Sequence, residues 1–194
     1  TGASYTMSAY DANSRLNLNR ADEEMLRRFF RALDVDFGLA DRIAQSIMDW
    51  RDPDDLHRAR GAERDEYVRL GSSVLPANGP FRSLDEFRHV RGVTPDILER
   101  ARPHLTLLAS GRINLNTADR PVLLSLPGME EGSVSVLFRM RREGRSVRHL
   151  ADLGAELPAR ALQAYQDEYW NLLQRTVLDT REVEVVSRGT SASG

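Results

Sequence analysis

The sequence predicts a mainly α protein of the α+β class, in which a duplicated helical body is inserted between short terminal strands. Three observations lead there. Residues 15–22 read "RLNLNRAD" and residues 112–119 read "RINLNTAD", the same phrase 97 positions apart. Apolar residues after each phrase recur at helical spacing. Near the two ends, "SYTMSAY" (4–10) alternates loosely and "TREVEVVS" (180–187) shows a β-branched alternation, both favouring strands instead.

The totals bound the problem. The chain has 194 residues, 41% hydrophobic and 29% charged, so a real core is affordable and wholesale disorder is not expected. Lys and Arg number 27 against 29 Asp and Glu, a net charge of −2, so any surface for nucleic acid must be a local patch. There is no cysteine, which removes disulfides, thiolate metal sites and cysteine nucleophiles. No apolar run reaches the ~18 residues that a membrane span requires.

The elements follow in order. "ADEEMLRRFFRALDV" places Met25, Leu26, Phe29, Phe30 and Leu33 on one helical face, with Asp22, Glu23 and Glu24 at the positive end of the helix dipole. "GLADRIAQSIMDW" gives a second helix with Leu39, Ile43, Ile47 and Trp50 facing the core. Residues 51–80 break into a charged, Pro- and Gly-rich excursion with one short helix near Glu63–Leu70. Ser83 and Glu86 form a capping box, and Thr94 caps a helix that has Pro95 in its first turn.

The second copy then runs "ADRPVLLSLPG", "EEGSVSVLFRMRREG", "SVRHLADLG" and one long helix, "LPARALQAYQDEYWNLLQRT". Leu84 and Phe87 of the first copy correspond to Leu150 and Leu153 at an offset of 66, so the excursion makes up the difference. The domains are therefore 15–111, carrying the 51–80 insertion, and 112–176, with 1–14 and 177–194 supplying the strands. Leu162, Tyr165, Tyr169, Leu172 and Leu173 form a stripe expected to be buried, and burial is the expectation for Trp50 and Trp170 too. Asn17, Asn19, Asn114 and Asn116 are expected to be helix caps and turn-makers.

Two resemblances enter here. "INLNTADRPVLLSLPGM" resembles helix-hairpin-helix modules of the competence DNA-receptor type. The order "SRLNLN", "IMDWRDPDD", "GAERDEY", "NGPFRSLDEFRHVRGV", "INLNTADRPVLLSLPG", from about Tyr10 to Thr176, resembles general secretion pathway protein K of bacterial type II secretion. The second resemblance implies a minor pseudopilin: a non-catalytic subunit capping the periplasmic pseudopilus tip with the I and J subunits. Its strands would belong to a truncated pilin-like sheet, and an N-terminal helix outside this sequence would anchor it in the inner membrane.

The first resemblance implies a periplasmic DNA-binding protein. A hairpin grips phosphate where glycines let backbone N–H groups approach it. Here "LPGMEEG" puts Glu130 and Glu131 beside Gly128, "VRGVTPD" has no second glycine after Gly92, and acids surround Gly38. Each carboxylate at ~4–6 Å from a phosphate costs on the order of 1 kcal/mol. No nucleic acid is expected as a partner. Catalysis is not expected either. His57, His89, His104 and His149 are scattered, and Ser46, Ser83 and Ser125 lie in helical patterns.

The acidic loop is the candidate metal site. Asp49, Asp52, Asp54 and Asp55 fall within seven residues, with Glu63 following. Such oxygen-rich loops suit calcium, which takes six to eight hard oxygen ligands. Arg51, Arg58 and Arg60 can instead neutralise the loop, and Asp55 can be a helix cap. The resemblance to protein K favours calcium.

Overall fold

The computed structural model describes residues 4–108 and 110–190. The chain enters through β1 (Ser4–Asp11) and leaves through β6 (Val183–Thr190), which pair antiparallel from Ser4↔Thr190 to Asp11↔Val183. Everything between hangs from one end of this ribbon. The second terminal strand starts three residues later than the alternation suggests, because Thr180–Glu182 make the crossing to β1: the Ala12 amide donates to the Glu182 carbonyl at 2.9 Å.

Each half of the helical body opens and closes on itself. β2 (Leu16–Asn17) pairs in parallel with β3 (Leu105–Thr106), and β4 (Ile113–Asn114) with β5 (Thr176–Val177). The first half contains α1 (Glu23–Ala32), α2 (Phe37–Arg51), α3 (Arg64–Arg69) and α4 (Pro95–Ala101), with a 3₁₀ turn over Leu84–His89. The second contains α5 (Arg120–Ser125), α6 (Glu131–Arg142), α7 (Leu150–Glu156), α8 (Ala159–Asp167) and α9 (Tyr169–Arg175).

Local chemistry sets the helix limits. Asp22 accepts the Met25 amide at 2.9 Å to start α1, and Asp34 at φ 58° follows its end. α5 begins with Pro121 in its first turn and is shorter than α1. Leu126, held extended ahead of Pro127, ends it. The Ser83–Glu86 box and the Thr94 cap are both present, the box heading the 3₁₀ turn.

The two halves share one core. α1 packs on both α2 and α5, with Met25, Leu26, Phe29 and Phe30 buried beneath it. Phe30 stacks on Phe87 with ring centres 6.0 Å apart. Trp50 is buried as its helical phase requires, stacked on Phe81 at 5.8 Å and edge-on to Tyr67 at 5.6 Å. Burying each such side chain contributes roughly 1.5–3 kcal/mol. Arg28 crosses from α1 to the second half, donating to the carbonyls of Leu124 (3.1 Å) and Met129 (2.7 Å).

The last predicted helix is not continuous. It breaks at Glu168 (φ −104°, ψ 10°) into α8 and α9. Tyr165 and Leu172 stay buried, the Tyr165 hydroxyl donating to the Leu150 carbonyl at 2.8 Å. The bend turns Leu173 outward and leaves Trp170 73% exposed, contrary to the burial expected for both. The corner at Gly128 is what the bend accommodates: its backbone lies against Ala164 and Glu168.

Candidate functional site: repeated clamps and an acidic loop

The Asn-Leu-Asn phrase does the same work twice. In the first half Asn17 Oδ1 accepts the Asn19 amide at 2.8 Å, closing a local turn. The Asn19 side chain then grips the backbone of Phe81, accepting its N–H at 2.8 Å and donating to its carbonyl at 3.0 Å. In the second half Asn114 Oδ1 accepts the Asn116 amide at 2.9 Å. Asn116 grips Val147 in the same two-sided way at 2.8 and 2.9 Å, and donates to Leu178 at 2.8 Å as well. Phe81 and Val147 stand 66 residues apart, the offset of the later repeat.

These asparagines are turn-makers and clamps, not helix caps. Ala-Asp intervenes before each helix, so the cap positions fall to Asp22 and Asp119. A second device also recurs. Arg51, closing α2, donates to the carbonyls of Leu18 and Ala21; Arg141, near the end of α6, donates to those of Leu115 (2.7 Å) and Ala118 (2.8 Å). Burial lowers the pKa of both guanidiniums, as expected for cations held by neutral carbonyls.

The hairpin corners are occupied by the protein itself. Asp34 (φ 58°) and Gly128 (φ 75°) hold the corresponding left-handed positions. Asp36 caps α2, accepting the Gly38 amide at 2.9 Å, so its carboxylate already stands where a phosphate would bind. At Gly128 a Cβ would fall 2.7 Å from Glu168 Cβ and 2.9 Å from the Ala164 carbonyl oxygen. That glycine permits close helix packing rather than approach of a polyanion.

The acidic loop is arranged differently from its linear order. Carboxylate oxygens of Asp52, Asp54 and Glu63 lie within 4.8 Å of one another. Asp52 caps the C-terminal end of α2 and Glu63 stands just before α3, so the trio joins two helices. Glu63 is 1% exposed, and neither of its oxygens has a hydrogen-bond partner among the described residues. Burial, with Asp49, Asp52 and Asp55 nearby, raises its pKa to about 7. Asp52 Oδ1 is likewise buried without a partner.

The other two candidate ligands face elsewhere. Asp49 is fully buried and paired with Arg58 Nη1 at 2.6 Å. Burial raises its pKa even against this partner. Asp55 accepts from Asn78 Nδ2 at 2.9 Å, a tie to the far end of the excursion. The Asn78–Gly79 turn signal marks that residue in the sequence, although not its partner. Of the three neutralising arginines, Arg58 serves the loop, Arg51 serves the clamp, and Arg60 pairs with Asp41 at 3.3 Å.

Sequence reasoning missed Asp11. Its Oδ2 accepts from Asn114 Nδ2 (2.7 Å), Thr117 Oγ1 (2.7 Å) and Thr180 Oγ1 (3.0 Å), locking the ribbon to the second half. Nothing local to "AYDANS" signals contacts more than a hundred residues away.

Comparison with known proteins places this architecture. The fold is similar to that in the crystal structure of the GspK-GspI-GspJ complex from the enterotoxigenic Escherichia coli type 2 secretion system. The TM-score is 0.78 at 20% identity, covering 97% of this chain and 70% of that one. Type II secretion system protein K of Pectobacterium carotovorum subsp. carotovorum is 30% identical over 105 residues, 52% of this chain and 32% of that protein. Its counterpart in Aeromonas hydrophila is 35% identical over 94 residues, 47% of this chain and 28% of that protein. The chain thus matches about a third of the length of these relatives. A family model described as type II secretion system (T2SS), protein K, matches residues 8–110, more than half of the sequence, and the chain belongs to that family.

Proposed function

We propose that this chain is the helical body of a non-catalytic minor pseudopilin, seated at the tip of the periplasmic pseudopilus beside the I and J subunits. The observation that carries the reading is the likeness, over 97% of the chain, to the structure of the GspK-GspI-GspJ complex. The ribbon supports it. Tyr5, Met7, Val183 and Val185 share one exposed face, an apolar surface suited to cover by the rest of a longer protein. In this reading the strands continue a pilin-like sheet, 15–111 and 112–176 are the duplicated domains, and an anchor in the inner membrane precedes them. No helix among the described residues is long and apolar enough to cross a membrane.

The work proposed is steric and interfacial. A bulky body inserted at the end of a sheet leaves no room for a further subunit above it. The test is co-purification of the full-length protein's periplasmic portion with the I and J subunits. A stable ternary species by size exclusion is expected. Failure to associate at micromolar concentration, with duplex DNA bound instead, would refute the proposal.

A calcium ion fits the acidic loop. The three clustered carboxylates and the partnerless buried oxygens of Glu63 and Asp52 supply hard, anionic ligands at one point. Asp52, Asp54 and Glu63 would hold the ion, which supplies cross-linking charge between the end of α2 and the start of α3. A rise in melting temperature with calcium, reversed by chelator, is the expected result.

A further inference from the structure

The motif "DWRDPDD…GAE" contains more acids than the clustered trio uses, and the surplus has a defined arrangement. Asp49 lies beneath the loop on α2, fully buried. Its Oδ1 takes Arg58 Nη1 at 2.6 Å, and its Oδ2 accepts the Arg58 amide at 3.4 Å. A Cβ at Gly61 would fall 1.9 Å from that same Oδ2 and 2.7 Å from Asp49 Cγ. Both oxygens are therefore covered by the loop that closes over them, and Gly61 is what allows the closure.

Arg58 Nη1 also touches Asp52 Oδ2 at 2.6 Å. One nitrogen thus joins the buried Asp49 to a member of the trio. It leaves Asp52 with Oδ1 alone, the buried oxygen that has no partner among the described residues. Metal-binding carboxylates are commonly held in this way by partners that never touch the ion.

We propose that Asp49 and Arg58 are positioning residues outside the ligand set, forming a strut that aims Asp52 Oδ1 at a calcium ion shared with Asp54 and Glu63. The inference rests on the calcium reading above and deepens it. It also makes a sign prediction that simple charge counting does not. Arg58 is a cation in contact with a ligand, so Coulomb repulsion alone says that removing it tightens calcium binding. A strut says the reverse.

The test uses the whole chain, with calcium affinity from titration calorimetry and the number of coordinated waters from terbium luminescence lifetimes in H₂O and D₂O. Asp49→Asn keeps an acceptor for Arg58 and is expected to leave affinity within about threefold and the water count unchanged. Removing Arg58 alone strands a buried carboxylate, so Arg58→Met is made in the Asp49→Asn background. That pair is expected to weaken calcium at least about tenfold and to add about one water, as Asp52 swings off the ion. Arg58→Lys in the same background should recover part of the loss. Asp54→Asn, a ligand change, weakens calcium with no need of Arg58. Loss of affinity with a gained water in Asp49→Asn would make Asp49 a ligand and overturn the inference, as would tighter calcium in the Arg58→Met pair. Wild-type protein that takes up neither ion would overturn the calcium reading and the strut together.

Discussion

Replacing Asn116 by Ala isolates the clamp that the repeated phrase builds. Three side-chain hydrogen bonds disappear: the Val147 amide to Oδ1 (2.8 Å), and Nδ2 to the carbonyls of Val147 (2.9 Å) and Leu178 (2.8 Å). At ~1 kcal/mol net for each, the loss is about 3 kcal/mol. The matching change Asn19→Ala removes two, to the amide and carbonyl of Phe81, and should cost about 2 kcal/mol. Asn116→Asp keeps the acceptor but turns a carboxylate oxygen toward the Val147 and Leu178 carbonyls, so it should cost at least as much as Asn116→Ala. For a chain of this size each kcal/mol moves the melting temperature by about 2–4 °C, so Asn116→Ala should melt ~6–12 °C lower. Urea denaturation followed by circular dichroism gives the same ranking without the temperature terms. A cost below about 0.5 kcal/mol for Asn116→Ala, or a larger cost for Asn19→Ala, would refute the view that these clamps fasten each half.

Two further changes probe other parts of the molecule. Gly128→Ala forces a side chain into a left-handed position and against α8 and Glu168, so it should destabilise by about 2–4 kcal/mol in the same urea assay. Glu63→Gln acts through pH. The folded carboxyl titrates at about 7 against 4.5 when unperturbed, so the folded state binds the proton more tightly. The stability that this confers is present at low pH and is lost as pH rises from about 4.5 to about 7. With chelator present, Glu63→Gln should be more stable than wild type at pH 8, by on the order of 3 kcal/mol, and equal to it near pH 4. A wild-type advantage at pH 8 without calcium would contradict the burial argument.

Much of this was legible because it is periodic or local. The helical stripe of α1, the core phase of Trp50 and the Ser83–Glu86 box depend on residues within a turn or two of each other. So does the terminal alternation that becomes β1 and most of β6. The repeat itself was visible because the clamp requires Asn at both positions, whereas the core accepts many apolar residues. The bend at Glu168 was hidden, since residues 159–175 carry an unbroken helical pattern and the Gly128 corner that the bend accommodates lies 40 positions earlier. In the acidic loop, composition suggested five interchangeable carboxylates. Separating Asp52, Asp54 and Glu63 from Asp49 depends on where Arg58 reaches, and spacing does not encode that.

The ribbon has an evolutionary corollary. Asp11 and Val183 sit opposite each other across β1 and β6, so the whole helical mass is spliced in between two adjacent points of a hairpin. A graft of that kind can be enlarged, trimmed or exchanged for unrelated cargo while the strands below keep their register.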